Sequence, residues 1–262
     1  MNLRRNYAMN KRYFYTLIKS YDRLSDMFYW PVMDILIWGL TGLYFSLLSQ
    51  NPEITKTILL TGLIFWIITW RSQYEITVNL LTEMWDRNLV NIFASPLKLS
   101  EWILSVIVYG AVKMSFSLFF SAATAFFLYK YAFFQFGPWL LPIFISLGLT
   151  GWAIGFTVGS IIIRYGLKAQ TLAWTGAYII VPFSAIYYPL SILPDWAQKV
   201  ALVIPSSYIF EAMREHIFTN TLSPEKIVIS FALNIIYLIL SILLFTFAFK
   251  KSKQKGLGRL IG

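Results

Sequence analysis

Long apolar blocks separated by short polar breaks dominate the pattern along this chain. A helix needs about 20 largely apolar residues to cross a bilayer. Six stretches qualify, at about 31–49, 57–78, 102–129, 138–163, 169–188 and 227–249. The first carries one charge, Asp34, near one end, where its carboxylate reaches the headgroups. The second is charge-free to Trp70 and then passes Arg71 and Glu75. Those two stand four apart on one helix face and read as the exit into the interface. The third holds Lys113 in mid-helix, with no obvious carboxylate at its depth. A lysine there costs about 2.5–3.5 kcal/mol unless it faces a polar interior, so Lys113 is expected to point into the protein or a wet cavity. In the fourth, Gly151, Gly155 and Gly159 recur every four residues, a seam for close helix packing.

Three further stretches are amphipathic. Leu3, Tyr7, Phe14, Leu17, Ile18, Tyr21 and Phe28 keep rough helical spacing among basic residues. That predicts a helix lying along the interface, either a non-specific anchor or a docking element. Pro31 favours a break before the first span. The second stretch is MWDRNLVNIFASPLKLSEW, from Met84. Trp85, Leu89, Ile92 and Phe93 form an apolar stripe, with Glu83, Asp86, Arg87, Asn88 and Asn91 opposite. Glu83 and Arg87 are spaced for an i,i+4 pair, Pro96 stops the helix, and Ser100 is placed to cap the next. In the third, 189–218, Pro189, Pro194 and Pro205 cut an apolar run containing Trp196 into pieces too short to span. It reads as a re-entrant helical hairpin.

Charge sets the orientation. The N-terminal segment, the loop after the second span, the loop after the fourth and the tail hold 16 of the 22 Lys and Arg residues. The opposite side holds Lys56, Lys130, Lys199, Arg214 and Lys226. The positive side is cytoplasmic, so both termini are expected there.

Composition narrows the class. Of 262 residues, 58% are hydrophobic and 13% charged, against about a quarter charged in soluble domains. The expectation is an all-α polytopic membrane protein with six transmembrane helices. The net charge of +10 then reflects basic cytoplasmic ends, not a nucleic-acid partner. No cleavable signal peptide is visible. The chain has no cysteine and one histidine, His216, so neither a metal cluster nor a catalytic constellation is expected.

The order is an interfacial basic helix, two spans, an amphipathic loop helix, four more spans, and a broken hairpin before the last. It resembles the membrane subunit of type-2 ABC transporters, the ABC-2 permease family. WPVMDILIWG (Trp30–Gly39) is similar to that family's first-span entry, MWDRNLVNIFASPLKLSEWILS (Met84–Ser105) to its cytoplasmic coupling segment, and PFSAIYYPLSILPDWAQ (Pro182–Gln198) to its fifth span and re-entrant element. The resemblance implies an interface helix at 1–30, a transmembrane domain at 31–250 and a basic tail at 251–262. It implies a non-enzymatic exporter subunit in a prokaryotic cytoplasmic membrane. A second permease copy is expected, a homodimer in preference to a heterodimer, with two copies of a cytoplasmic ATPase. No GxxxxGK[ST] loop occurs in the chain, so ATP and Mg²⁺ belong to that partner and no cofactor to this chain. The Leu81–Pro96 segment becomes a lever, its apolar stripe set in an ATPase cleft and against the permease body. Lys113 becomes a candidate pathway residue. The alternative is an ion-coupled secondary transporter, or another polytopic protein without an ATPase partner, which would want ionisable residues near mid-membrane.

Overall fold

Asn2 and Ser20 set the first two helices of the chain in a computed structural model that describes residues 2–261, without the side chains of 259 and 261. Gly262, which ends the expected basic tail, lies outside the described residues, as does the Arg259 side chain. Asn2 accepts from the Arg4 amide and opens α1, Leu3–Lys19. Ser20 ends α1 in extended backbone, and its hydroxyl accepts from the Arg23 amide to open α2, Tyr21–Leu47. The break therefore falls at Ser20, not at Pro31. Pro31 lies inside α2 and has no N–H for the Met27 carbonyl. Ser117, on α5 (Leu99–Tyr129), donates to that carbonyl at 2.9 Å. A neighbouring hydroxyl thus satisfies the group that proline orphans, and the helix continues. Asp34 consequently stands near the middle of α2, not near an end.

α3, Pro52–Trp85, is the central helix. Its 34 residues extend about 51 Å, well beyond the roughly 30 Å hydrocarbon core. Arg71 and Glu75 do not mark its exit, since both are buried in its second half. A left-handed turn at Arg87 (φ 53°) leads to α4, Leu89–Ala94, so the expected single helix over 83–95 is two helices joined by a turn. α5 is opened by the Glu101 carboxylate, which accepts from the Lys98 amide at 3.0 Å, not by Ser100. α6, Leu140–Tyr165, packs its glycine seam inside the chain. A side chain at Gly151 would meet the Thr69 carbonyl and Ser72, one at Gly155 would meet Ile76, and one at Gly159 would meet Phe245.

The expected fifth span is not a continuous α-helix. A 3₁₀ turn (Gly166–Ala169), the four-residue α7 (Leu172–Thr175) and a 3₁₀ helix (Gly176–Phe183) follow one another, with Pro182 inside the last. Side chains of α3 hold this irregular backbone. Gln73 donates to the Ala173 carbonyl at 2.9 Å and accepts from the Ala177 amide at 3.3 Å, and Thr77 donates to the Ala173 carbonyl at 3.1 Å. Irregular backbone at membrane depth needs such partners. Among the described residues five helices are long and apolar enough to cross a membrane: α2, α3, α5, α6 with its adjoining 3₁₀ turns, and α10, Pro224–Gln254.

Between the irregular segment and α10 lie a 3₁₀ turn (Leu190–Ile192), α8 (Asp195–Ala201) and α9 (Pro205–Thr219). Pro194 precedes α8, and Pro205 is the first residue of α9. Trp196 is exposed against the edge of Phe183, with ring centroids 5.9 Å apart. Arg214 is not a loop charge. It is buried on α9, donating to Glu211 at 2.6 Å and to the Ala185 carbonyl at 2.6 Å, and Glu211 in turn accepts from the Leu190 amide. At the corner into α10, Ser223 and Lys226 hold the Glu215 carboxyl below the usual carboxylate range.

Apolar side chains gather in two clusters at opposite ends of the bundle. One joins Met9 and Tyr13 of α1, Leu89 and Phe93 of α4, Trp102, Ile163, Ala173, Phe249, Leu257 and Leu260. The other joins Ile35, Leu60, Phe65, Phe136, Ala185, Ile186, Phe210 and Ile227. Both described ends of the chain therefore meet in the first cluster. α1 turns Met9, Tyr13 and Leu17 inward, while the predicted stripe residues Leu3, Tyr7, Ile18 and Tyr21 stay exposed.

Two neighbouring glycines give a test of the seam. An alanine at 148 would touch Met114 only at ordinary distance, 3.6 Å, whereas one at 151 would meet Ser72 Cβ at 2.5 Å and the Thr69 carbonyl. Gly151→Ala is expected to destabilise the detergent-solubilised protein by about 1–3 kcal/mol, and Gly148→Ala to leave thermal unfolding nearly unchanged. Equal shifts for the two variants would refute close contact at Gly151.

Candidate functional site

Four ionisable side chains meet where α2, α3 and α5 pack together. Arg71 Nη1 donates to Asp26 Oδ2 at 2.6 Å, and Nη2 to the Asp26 carbonyl at 2.5 Å. Lys113 Nζ lies 2.6 Å from Glu75 Oε1. The cross contacts are longer, Arg71 to Glu75 at 3.5 Å and Lys113 to Asp26 at 3.9 Å. Arg71, Glu75 and Lys113 are almost fully buried, and Asp26 is more open. Aromatic faces complete the surroundings: the Arg71 guanidinium lies 5.3 and 5.4 Å from the Trp70 and Tyr74 ring centres, and Lys113 Nζ lies 5.5 Å from that of Tyr109. Such faces stabilise a cation without bringing in another anion.

Two cations and two anions make the group neutral, and each carboxylate lies within 4 Å of both cations. The alternative pairing, Arg71 with Glu75 and Lys113 with Asp26, is therefore already within reach without isolating a charge. Removing one member would leave its partner buried and unpaired, which is the costly event. The arrangement is therefore a ring with two ways to pair, carried on three separate helices.

Three members of the ring, Asp26, Glu75 and Lys113, line a cavity of about 380 Å³. Asp22, Asn79 and Thr82 line its walls, and Trp85, Asp86 and Trp174 its other end. Trp85 stacks on Trp174 with ring centroids 6.1 Å apart, and its indole N–H donates to Gln170 at 3.3 Å. The uninterrupted α3 thus carries Glu75 at one end of the cavity, with Arg71 one turn before it, and Trp85 at the other end.

The residues expected in the coupling segment separate into two groups. Trp85, Asp86 and Arg87 are exposed. Leu89 and Phe93 are buried inside this chain, Phe93 against Phe249 with centroids 4.5 Å apart and against Trp102. The Leu89, Ile92 and Phe93 part of the apolar stripe therefore faces the helix bundle of this chain, and the outward surface of α4 is Val90, Asn91 and Ala94. Glu83 pairs with Arg12 of α1 at 2.8 Å and accepts from Asn88, so its partner is not Arg87. Glu101 accepts from the Asn2 amide at 2.7 Å, and Asn6 donates to Ser105 at 2.8 Å. α1 is thereby tied to α3 and α5, so it docks on its own chain. Lys113 does point inward, and Glu75 is the carboxylate that its neighbourhood in sequence did not reveal. Asp26 was missed because it precedes Pro31, where the first span was expected to begin. The i,i+4 spacing of Arg71 and Glu75 was a usable signal that length counting assigned to the interface.

A family model described as ABC-2 family transporter protein matches residues 40–250. No curated protein matches the chain.

The ring predicts non-additive energetics. Lys113→Met leaves Glu75 buried with only the longer contact to Arg71, and should cost about 3–5 kcal/mol. Adding Glu75→Met removes the stranded charge while the Asp26–Arg71 pair persists, so the double variant should recover most of that loss. Denaturation of the three variants in detergent checks this, and additive losses would break the pairing assignment.

Proposed function

The chain belongs to the family of ABC-2 transporter proteins, and from that premise we propose that it is the membrane subunit of an ATP-driven exporter, working with a separate cytoplasmic ATPase. The observation that carries the reading is the continuity of α3 from the exposed Trp85 to the charge ring. A push on the α3–α4 turn moves one rigid helix. Its other handle, Arg71 and Glu75, would then exchange its pairs with Asp26 of α2 and Lys113 of α5 for the Arg71–Glu75 and Lys113–Asp26 pairs. ATP binding and release by the partner would bias which pairing holds, and so the width of the cavity above it. Two discrete pairings supply the bistable element that a switching transporter needs.

The ATPase contact is the outward face, Arg87, Val90, Asn91 and Ala94, with the groove of about 410 Å³ between α1 and α4 that Arg5, Arg12 and Pro96 border. Six crossings follow if the irregular 169–186 segment counts as one, since Ala173 packs in the cluster that holds both chain ends and Ile186 in the opposite one. An even number of crossings agrees with shared basic ends, and the charge rule supports a cytoplasmic side for both termini. The α8–α9 hairpin then dips from the outer side. A second copy would complete the pathway. Asp34 supports this, because it is exposed mid-helix beside Ile37 and Trp38. A carboxylate on lipid costs about 2.5–3.5 kcal/mol, so this face of α2 turns to water or to the other copy.

The charge ring also favours a second reading, an ion-coupled transporter, because ionisable groups at this depth are what such a protein requires. Reconstituted transport separates the two. ATP turnover that needs an added ATPase supports the first, and uptake driven by an ion gradient without ATP supports the second.

Burial changes which substitutions test the docking surface. Val90→Asp with Asn91→Asp should cut ATPase recovery in detergent pull-down several-fold and leave thermal unfolding unchanged. Phe93→Ala should lower stability by about 3–5 kcal/mol as a core truncation. Unchanged recovery with the Val90/Asn91 variant would defeat the coupling surface.

Topology is testable without removing native thiols, because the chain has no cysteine. Single cysteines at Asn2 and Gly258 should react with impermeant maleimide only after permeabilisation, and one at the exposed Lys199 on α8 should react in intact cells. Reaction at position 2 or 258 in intact cells would overturn six crossings.

A further inference from the structure

α6 and α10 leave a continuous groove on the side of the bundle away from the charge ring. At its basic end it is a cleft of about 550 Å³ whose cations are Arg164, Lys251 and Lys255. Toward mid-bundle it becomes an apolar cavity of about 420 Å³ that ends near Thr150 and Asn234. Ile161 and Leu244 line both parts, which makes them one channel.

The chemistry changes sharply along its length. No Asp or Glu lines the basic part. Among the described residues, no ion pair engages Arg164, Lys251 or Lys255. This contrasts with the interior of the chain, where every buried cation meets a carboxylate. Arg164 lies 5.4 Å from the Tyr165 ring centre and Lys251 6.0 Å from that of Phe247. Aliphatic stems thus hold these two cations beside aromatic rings at the edge of apolar surface, the geometry of side chains at a headgroup boundary. From Arg164 to Thr150 the groove follows α6 for about 21 Å, more than the roughly 15 Å of one leaflet's hydrocarbon.

We propose that this groove is a binding site for an anionic phospholipid of the adjacent leaflet. The phosphate sits among Arg164, Lys251 and Lys255, and one acyl chain runs past Ile161 and Leu244 toward Thr150. Basic pockets between transmembrane helices are suited to anionic headgroups. The apolar extension distinguishes a lipid from a free phosphate. The site lies apart from the charge ring and does not depend on the exporter reading.

Native mass spectrometry of the full-length protein in detergent, titrated with phosphatidylglycerol or phosphatidylcholine, tests the site. Wild type should retain phosphatidylglycerol at least tenfold more strongly, and 10 mM inorganic phosphate should not displace it. R164Q/K251Q/K255Q should weaken retention about fivefold for each cation removed. Ile161→Trp, which blocks the channel and keeps the cations, should weaken it as well. K250Q/K253Q, whose lysines lie on the same helix outside the groove, should behave as wild type. Equal retention of the two lipids by wild type would overturn the site, whatever the variants do. So would displacement by phosphate, or equal losses from K250Q/K253Q and the triple variant.

Discussion

Charges taken out of water must be paired, and the pairs must not strand a member when the protein moves. That constraint fixes the centre of this molecule. Asp26, Arg71, Glu75 and Lys113 come from three helices, and α3 supplies the nearest partner for the charge on each of the other two. α3 brings one charge of each sign, α2 an anion and α5 a cation. Placing α3 in the middle is therefore the arrangement that lets both outer helices find partners. A hydrophobic quartet of the same volume would be at least as stable by desolvation arguments. The cluster's use is thus better sought in its two alternative pairings than in stability.

The same logic of satisfied polar groups explains where the backbone departs from regular helix. At Pro31 the freed Met27 carbonyl is taken by Ser117, so α2 stays straight enough to present Asp26 to Arg71. Along 172–183 the chain gives up α-helical bonding, and Gln73 and Thr77 of α3 supply what it loses. α3 thus satisfies its neighbours twice, by charge and by amide, which is why so few of its faces are exposed. Polar side chains of α6 and α10 do the same at their own contact, where Asn234 donates to the Ser146 carbonyl at 2.9 Å and accepts from Thr150 at 2.8 Å. In lipid, such bonds and close packing replace the hydrophobic drive that joins helices in water.

Much of the helical layout was legible because span length is a strong signal. The third, fourth and last apolar stretches lie within five residues of α5, α6 and α10 at each end. Two errors share one cause, reading a charge or a proline by its local effect alone. Arg71 and Glu75 were assigned to the interface because a charge ends an apolar run, yet their partners come from helices distant in sequence. Pro31 was read as a break because it lacks an N–H, and the compensating Ser117 is not local either. The fifth stretch is apolar enough to pass a composition test, but it runs as short 3₁₀ and α pieces with Pro182, which has no N–H to donate, inside the last, and hydropathy does not measure that. In the loop, periodicity found the apolar stripe of Leu89 and Phe93, and the family resemblance set it both in an ATPase cleft and against the chain's own body. Two apolar clefts fit such a stripe equally well, and only the fold showed that Phe249 and Trp102 occupy it.

That destination bears on how force enters the bundle. A loop helix resting loosely on lipid would absorb a push by sliding. Here Phe93 is seated against Phe249 of α10, Glu83 is held by Arg12 of α1, and Glu101 by the Asn2 amide. The turn at Arg87 is therefore the exposed edge of a braced block made from α1, α4 and the adjoining ends of α3, α5 and α10. Displacing it moves α3 together with the block. The nearest part of α3 not enclosed by that apolar cluster is the stretch carrying Arg71 and Glu75, between the two cores. Under the proposed coupling to an ATPase, such a block would concentrate the conformational change at the ring, where the cavity would widen or narrow, and leave the packed ends of the bundle unchanged.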